Sequence, residues 1–102
     1  MNKRLKSYQE DLLIALKDPQ EATAYLNAAL MEGDQQLFLL AIRNVIEAQG
    51  ETVSSLAREA SLNRENLYRI FSAQGNPQLQ TIRSMLHTVG LELAVQPINR
   101  HS

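Results

Sequence analysis

Two short helical patterns lie almost back to back near the middle of this chain. The first begins at the N-capping residue Thr52 and the second at Asn63, so that only Ser61 and Leu62 follow Ala60 before the second pattern starts. Two short helices joined by so few residues must cross steeply. The spacing therefore predicts a helix-turn-helix motif, whose inward-facing residues are Val53, Leu56, Ala57, Ala60, Leu62, Leu67, Ile70 and Phe71.

Helical patterns also precede this motif. Asp18 and Pro19 are predicted to end one helix and open a second, because proline is favoured at the first helical position. Gly33 and Asp34 then predict a helix end followed by a new N-cap. The third helix contains the most apolar segment of the chain, residues 37–48, so it is expected to be nearly all buried.

One more helix is predicted after the motif. Asn76 is expected to cap it, Pro77 to occupy its first position and Gly90 to end it. Its predicted buried face is Leu79, Ile82, Leu86 and Val89, and the predicted core also includes Met31 and Met85.

In residues 91–96, LELAVQ, the large apolar residues Leu91, Leu93 and Val95 occupy every second position. This alternation predicts a short β-strand. A lone strand cannot satisfy its own backbone hydrogen bonds. It would therefore have to pair with a second copy of the chain or with the sheet edge of a partner.

Length limits the chain to one domain, because 102 residues are enough to close one modest core. No apolar run approaches the ~18 residues that a membrane span needs, and no secretory signal is visible, so the cytoplasm is the expected location. The predicted fold is all-α over residues 1–102, with N-terminal helices at 7–51, the helix-turn-helix at 52–72, a closing helix at 77–89 and the strand at 91–96.

The residues that enzymes need are scarce. The chain has no cysteine, and its two histidines, His87 and His101, have no partner at metal-ligand spacing. Each glycine falls where a helix is predicted to end, so no glycine-rich phosphate loop is present. We therefore expect no catalytic site, no metal site and no cofactor.

Charge is unevenly distributed along the sequence. Residues 7–51 carry eight acidic side chains and two basic ones, whereas residues 52–102 carry five basic and three acidic ones. An acidic front half and a more basic back half suggest two different partners, although ordinary solvated helix faces would give a similar pattern.

The outer face of the second helix of the motif carries the chemistry of a DNA reader. Arginine can pair bidentately with guanine and asparagine with adenine, whereas hydroxyls hold phosphates. The alternative is that these side chains are merely solvated and that Arg58 and Arg69 pair with nearby acids. The outward or edge residues are Asn63, Arg64, Glu65, Asn66, Tyr68, Arg69 and Ser72.

Residues 52–95 resemble the helix-turn-helix domain of Xre and phage-repressor type through the stretches SLAREASLNRENLY, GNPQLQTI and VGLELAV. With the upstream stretch DPQEATAYLNAALMEGD, the resemblance narrows to the addiction-module antidote proteins and covers nearly all of the chain. The resemblance implies a lambda-repressor-like helical fold and a homodimer. It also implies binding to the protein's own double-stranded operator and neutralisation of a small, basic RelE/ParE-like toxin.

Carried onto this sequence, the resemblance implies two kinds of DNA contact. Ser54, Ser55 and Thr81 would contact phosphates. The groove-reading set would be Asn63, Arg64, Glu65, Tyr68 and Arg69, with Asn66 at its edge.

One position departs from the common pattern of these motifs. Many of them have glycine where Ser61 stands, because the turn often needs a left-handed residue.

Two other functions fit the same residues. A stand-alone Xre-type regulator would bind DNA without a toxin, and a small basic reading frame beside the gene would distinguish the two. A helical interaction adaptor would not bind DNA at all, and a net charge of only -1 is compatible with it. The sequence does not specify the operator, the toxin or the surface that dimerises.

Overall fold

The computed structural model describes residues 3–72 and 75–98, with side chains described from Ser7 onwards. Within those residues the chain forms six α-helices, which confirms the predicted all-α class. They are α1 (Lys3–Ala15), α2 (Pro19–Met31), α3 (Gln35–Ala48), α4 (Val53–Glu59), α5 (Arg64–Ile70) and α6 (Leu79–Thr88).

Helix α3 is the central element and packs against both α1 and α2. Eight of its fourteen residues are buried, including Ile42 and Val45. The expectation that this helix is nearly all buried is only partly right, because Leu37 and Leu40 keep 39% and 53% of their surface exposed. The rest of the chain contributes to the same core Leu16, Ala22, Leu26, Ala29, Leu56, Ala57, Leu67, Ile70, Met85 and Leu86.

A polar network crosses the packed helices around Asn44 of α3, which is 9% exposed. The Asn44 side-chain amide donates a hydrogen bond of 2.8 Å to the hydroxyl of Tyr25 on α2. The side-chain amide of Gln9 on α1 donates a hydrogen bond of 3.4 Å to the side-chain oxygen (Oδ1) of Asn44. A buried amide is costly unless its donors and acceptors are satisfied, so these bonds fix the relative positions of three helices.

The predicted starts of four helices are confirmed by their caps. Asp18, Asp34, Thr52 and Asn63 each accept a hydrogen bond from a backbone N–H in the first turn of the helix that follows. Pro19 occupies the first turn of α2, as its fixed φ and missing N–H favour.

The predicted start of the closing helix is wrong. Helix α6 begins at Leu79, not at Pro77, and its N-cap, Gln78, makes no side-chain capping bond. The Asn76 side chain instead accepts a hydrogen bond of 3.2 Å from the side chain of Gln35 on α3. Gly75 approaches the end of α5 so closely that a Cβ there would lie 1.8 Å from the Ile70 carbonyl oxygen. These contacts hold residues 75–78 as a connecting segment.

The short C-terminal strand predicted for residues 91–96 is also wrong. Residues 91–98 form neither helix nor strand, because the described part of the chain offers no second strand with which they could pair. Leu91 and Leu93 nevertheless pack against the core, whereas Val95 is 99% exposed.

Two residues expected in the core are exposed. Met31 keeps 84% of its surface accessible and Leu79 keeps 65%. Met31 is the last residue of α2 and Leu79 the first residue of α6, so both lie at helix ends.

Candidate nucleic-acid interface

Helix α4 is anchored at its start by reciprocal hydrogen bonds between Thr52 and Ser55. The Ser55 backbone N–H donates to the Thr52 hydroxyl oxygen at 3.1 Å, and the Thr52 N–H donates to the Ser55 hydroxyl oxygen at 2.8 Å. This capping box satisfies N–H groups that the first turn of a helix leaves without partners. It fixes the start of a helix only seven residues long.

A left-handed residue, Ser61, forms the turn from α4 to α5. Its φ is 56°, which is unfavourable for a residue that has a Cβ. The Leu62 N–H reaches back to the Ala57 carbonyl oxygen at 2.8 Å, and the Ser61 N–H to that of Arg58 at 3.4 Å. These two bonds form a Schellman motif. The departure from glycine at position 61 therefore leaves the left-handed turn in place, with a serine in the left-handed conformation.

Helix α5 divides sharply into a buried side and an exposed side. Asn63 caps the helix by accepting a hydrogen bond of 3.1 Å from the Asn66 N–H. Leu67 and Ile70 face the core at 0% and 4% exposure. The structure therefore brings the predicted groove-reading residues together at the surface of one helix and its cap: Asn63, Arg64, Glu65, Asn66, Tyr68 and Arg69 are all exposed.

Within the described part of the chain, the basic side chains of this surface form no ion pairs with acids. The Arg64 guanidinium lies 5.8 Å from the centroid of the Tyr68 ring, a cation–π arrangement that restrains the arginine without removing its charge. Arg58 and Arg69 form no ion pair with any residue in 7–72 or 75–98. The alternative in which these two arginines pair with acids on neighbouring turns is not observed there.

The three predicted phosphate contacts differ in their surroundings. Ser54 is exposed in the first turn of α4. The Ser55 hydroxyl donates to the Glu51 carboxylate at 2.5 Å, in addition to its role in the capping box. Thr81 is half-buried in the first turn of α6. Of the three hydroxyls, that of Ser54 is the most accessible to a ligand.

One basic side chain at the end of α5 was not anticipated from the sequence. The Arg43 guanidinium of α3 lies 5.9 Å from the centroid of the Phe71 ring, directly after α5. No motif could signal this contact, since the two residues lie far apart in the sequence and meet only when α3 packs beside α5.

The described residues contain neither a metal-binding cluster nor a membrane-spanning helix. No group of three or more histidine, aspartate or glutamate side chains there is arranged to hold a metal ion. None of the six helices reaches the length and apolar character that crossing a bilayer requires.

Comparison with known proteins places the chain in a family. Residues 6–97 match the family model described as "Probable addiction module antidote protein". An uncharacterized protein of Haemophilus influenzae is 32% identical over 96 residues, which cover 94% of this chain and 95% of the relative. No solved structure matches the chain at a comparable level of significance.

The chain therefore belongs to the addiction-module antidote family. An addiction module pairs a toxin with the antidote that counteracts it, so the role defined by the family is that of an antitoxin with a toxin partner. This role is a regulatory one.

Proposed function

We propose that this antitoxin also binds DNA and represses its own module, with α4 and α5 acting as a helix-turn-helix of Xre or lambda-repressor type. The observation that carries the proposal is the division of α5. Leu67 and Ile70 anchor the helix in the core, while Arg64 and Arg69 stand on its exposed surface without acidic partners among the described residues. A helix anchored in this way can enter the major groove with its outer face toward the bases.

The exposed residues have different proposed contacts with DNA. Arg64 and Arg69 supply the positive charge that displaces counterions and the donors that pair with guanine. Asn66 is placed to pair with adenine, and Glu65 to accept from cytosine. Asn63 contributes chiefly its amide donors, because its side-chain oxygen already caps α5. Phosphate contacts are assigned to Ser54, to Thr81 and, through a shared hydroxyl, to Ser55.

A homodimer would place two copies of α5 about one helical turn of DNA apart, so we expect the operator to be a pair of inverted half-sites. Binding to chromosomal DNA would place the protein in the cytoplasm.

The toxin is proposed to be a small, basic, RelE/ParE-like protein that binds the acidic front half of the chain. Seven acidic side chains of this half are exposed, which supports electrostatic attraction to a basic protein. They are Glu10, Asp11, Asp18, Glu21, Glu32, Asp34 and Glu47.

A paired experiment tests both activities. The purified chain is titrated against the DNA upstream of its gene and against a scrambled fragment of equal length, beside an Arg64→Ala/Arg69→Ala variant. The same proteins are co-expressed with the product of the adjoining reading frame, and growth is measured. Selective DNA binding that the variant loses, while it still restores growth, supports the proposal. Equal weak binding to both fragments contradicts the DNA-reading part and favours an interaction adaptor, whereas selective binding without growth rescue favours a stand-alone Xre-type regulator.

A further inference from the structure

An apolar groove lies on the side of the fold formed by α2 and the C-terminal segment 91–96. Its volume is about 340 Å³, and none of its lining residues belongs to α4 or α5. Thr23, Asn27 and Leu30 form one wall, at the spacing of one helix face. Buried Phe38 and Leu86 line the groove as well, alongside the segment 91–96.

Large apolar side chains remain exposed along this groove. Leu30 is 46% exposed, Met31 84% and Val95 99%. Exposed apolar side chains grouped at a groove with polar residues between them are common at protein-binding sites, and methionine suits such sites because its side chain adapts to different partners.

The charges at and around the groove have one sign. Glu92 is the one charged residue in its lining, and the segment 18–32 that contains α2 adds Asp18, Glu21 and Glu32 but no lysine or arginine. All four carboxylates are exposed. A symmetric groove-to-groove contact with a second copy of this chain would bring like charges together, which is unfavourable, whereas a basic partner would be attracted.

We infer that this groove is the docking site for the toxin, which would insert an apolar segment flanked by basic side chains between α2 and residues 91–96. The inference rests on the proposed function, because it locates the surface that the toxin covers. The groove and α5 share no residue, so the inferred docking site and the proposed DNA surface are separate sets of residues.

The test uses substitutions at residues too exposed to affect folding. Met31→Lys/Val95→Lys places two positive charges in the groove. Ile14→Lys/Leu79→Lys is the matched control, since these residues are 64% and 65% exposed, lie outside the groove and give the same change in charge. The probe is the tagged product of the adjoining reading frame, purified from its co-expressed complex in denaturant and refolded.

The account predicts that the groove variant binds the probe about tenfold more weakly or worse, while the control variant binds like the wild type. Binding of the wild type to the probe should also weaken as salt rises, and the groove variant should keep its affinity for the upstream DNA.

Other outcomes overturn the inference in distinguishable ways. If the groove variant binds the probe as tightly as the wild type does, the groove is not the docking site, although the proposed function stands. If the wild type fails to bind the probe, both the inference and the toxin part of the proposed function fail. If sedimentation shows that the groove substitutions instead convert a dimer to a monomer with probe binding intact, the groove holds a second copy.

Discussion

The Leu62 backbone N–H donates a hydrogen bond to the Ala57 carbonyl oxygen at 2.8 Å, across the turn that joins α4 to α5. The same type of bond closes α3 and α6, where Gly50 and Gly90 occupy the left-handed position that Ser61 occupies here. A glycine adopts this conformation without the steric conflict of a Cβ.

Replacing the serine should therefore stabilise the protein. We expect Ser61→Gly to raise the free energy of unfolding by about 0.5–1 kcal/mol, because the relieved strain exceeds the added flexibility of the unfolded chain. Urea unfolding followed by circular dichroism measures the change. Ser54→Gly, the same substitution inside α4, is the control and should be destabilising. An equal loss of stability in both variants would show that the turn carries no strain.

The bond between Asn44 and Tyr25 gives a second prediction. Tyr25→Phe leaves the buried amide of Asn44 without its 2.8 Å acceptor, so the free energy of unfolding should fall by about 1–3 kcal/mol. Tyr8→Phe removes a hydroxyl from a side chain that is 69% exposed. It should therefore change the free energy of unfolding by less than about 0.5 kcal/mol. Thermal unfolding of the two variants distinguishes them; indistinguishable melting temperatures would show that the network is not needed.

Asn63 combines a structural and a proposed recognition role, and two substitutions separate them. Asn63→Ala removes the cap of α5 and should cost about 1 kcal/mol of stability. Asn63→Asp keeps the cap but places a negative charge beside the DNA. Its stability should match that of the wild type, whereas its affinity for the upstream fragment should fall. If Asn63→Asp bound DNA normally, Asn63 would lie outside the interface.

The contact of Arg64 with Tyr68 predicts that the ring, not the hydroxyl, supports DNA binding. Tyr68→Phe keeps the ring 5.8 Å from the guanidinium and should retain the affinity, while Tyr68→Ala should reduce it several-fold. Fluorescence anisotropy with labelled DNA compares the two. Equal losses in both variants would instead indicate that the hydroxyl contacts DNA directly.

Local signals in the sequence predicted the starts of α4 and α5 well. The caps at Thr52 and Asn63 act within a few residues of themselves, so their sequence context is sufficient to identify them. The alternation of apolar and polar positions in α5 likewise depends only on helical geometry, and it placed Leu67 and Ile70 correctly in the core.

The failures share a different cause. Asn76 reads as a cap in its local context, but its partner is Gln35, 41 residues earlier, and the close approach of Gly75 to Ile70 also depends on the packed structure. The alternation in residues 91–96 indicates a strand only if another strand is available. The contact of Arg43 with Phe71 likewise exists only after α3 and α5 have packed.

The most direct test of the central claim, that the exposed face of α5 reads DNA, is the salt dependence of binding to the upstream fragment. The wild type, Arg69→Ala and Lys17→Ala are compared, since each variant loses one positive charge and exposed Lys17 lies between α1 and α2, outside α4 and α5. We predict that Arg69→Ala binds more weakly and that the negative slope of log K against log salt becomes smaller in magnitude by about 0.9, while Lys17→Ala follows the wild type. Identical slopes and affinities for both variants would contradict it.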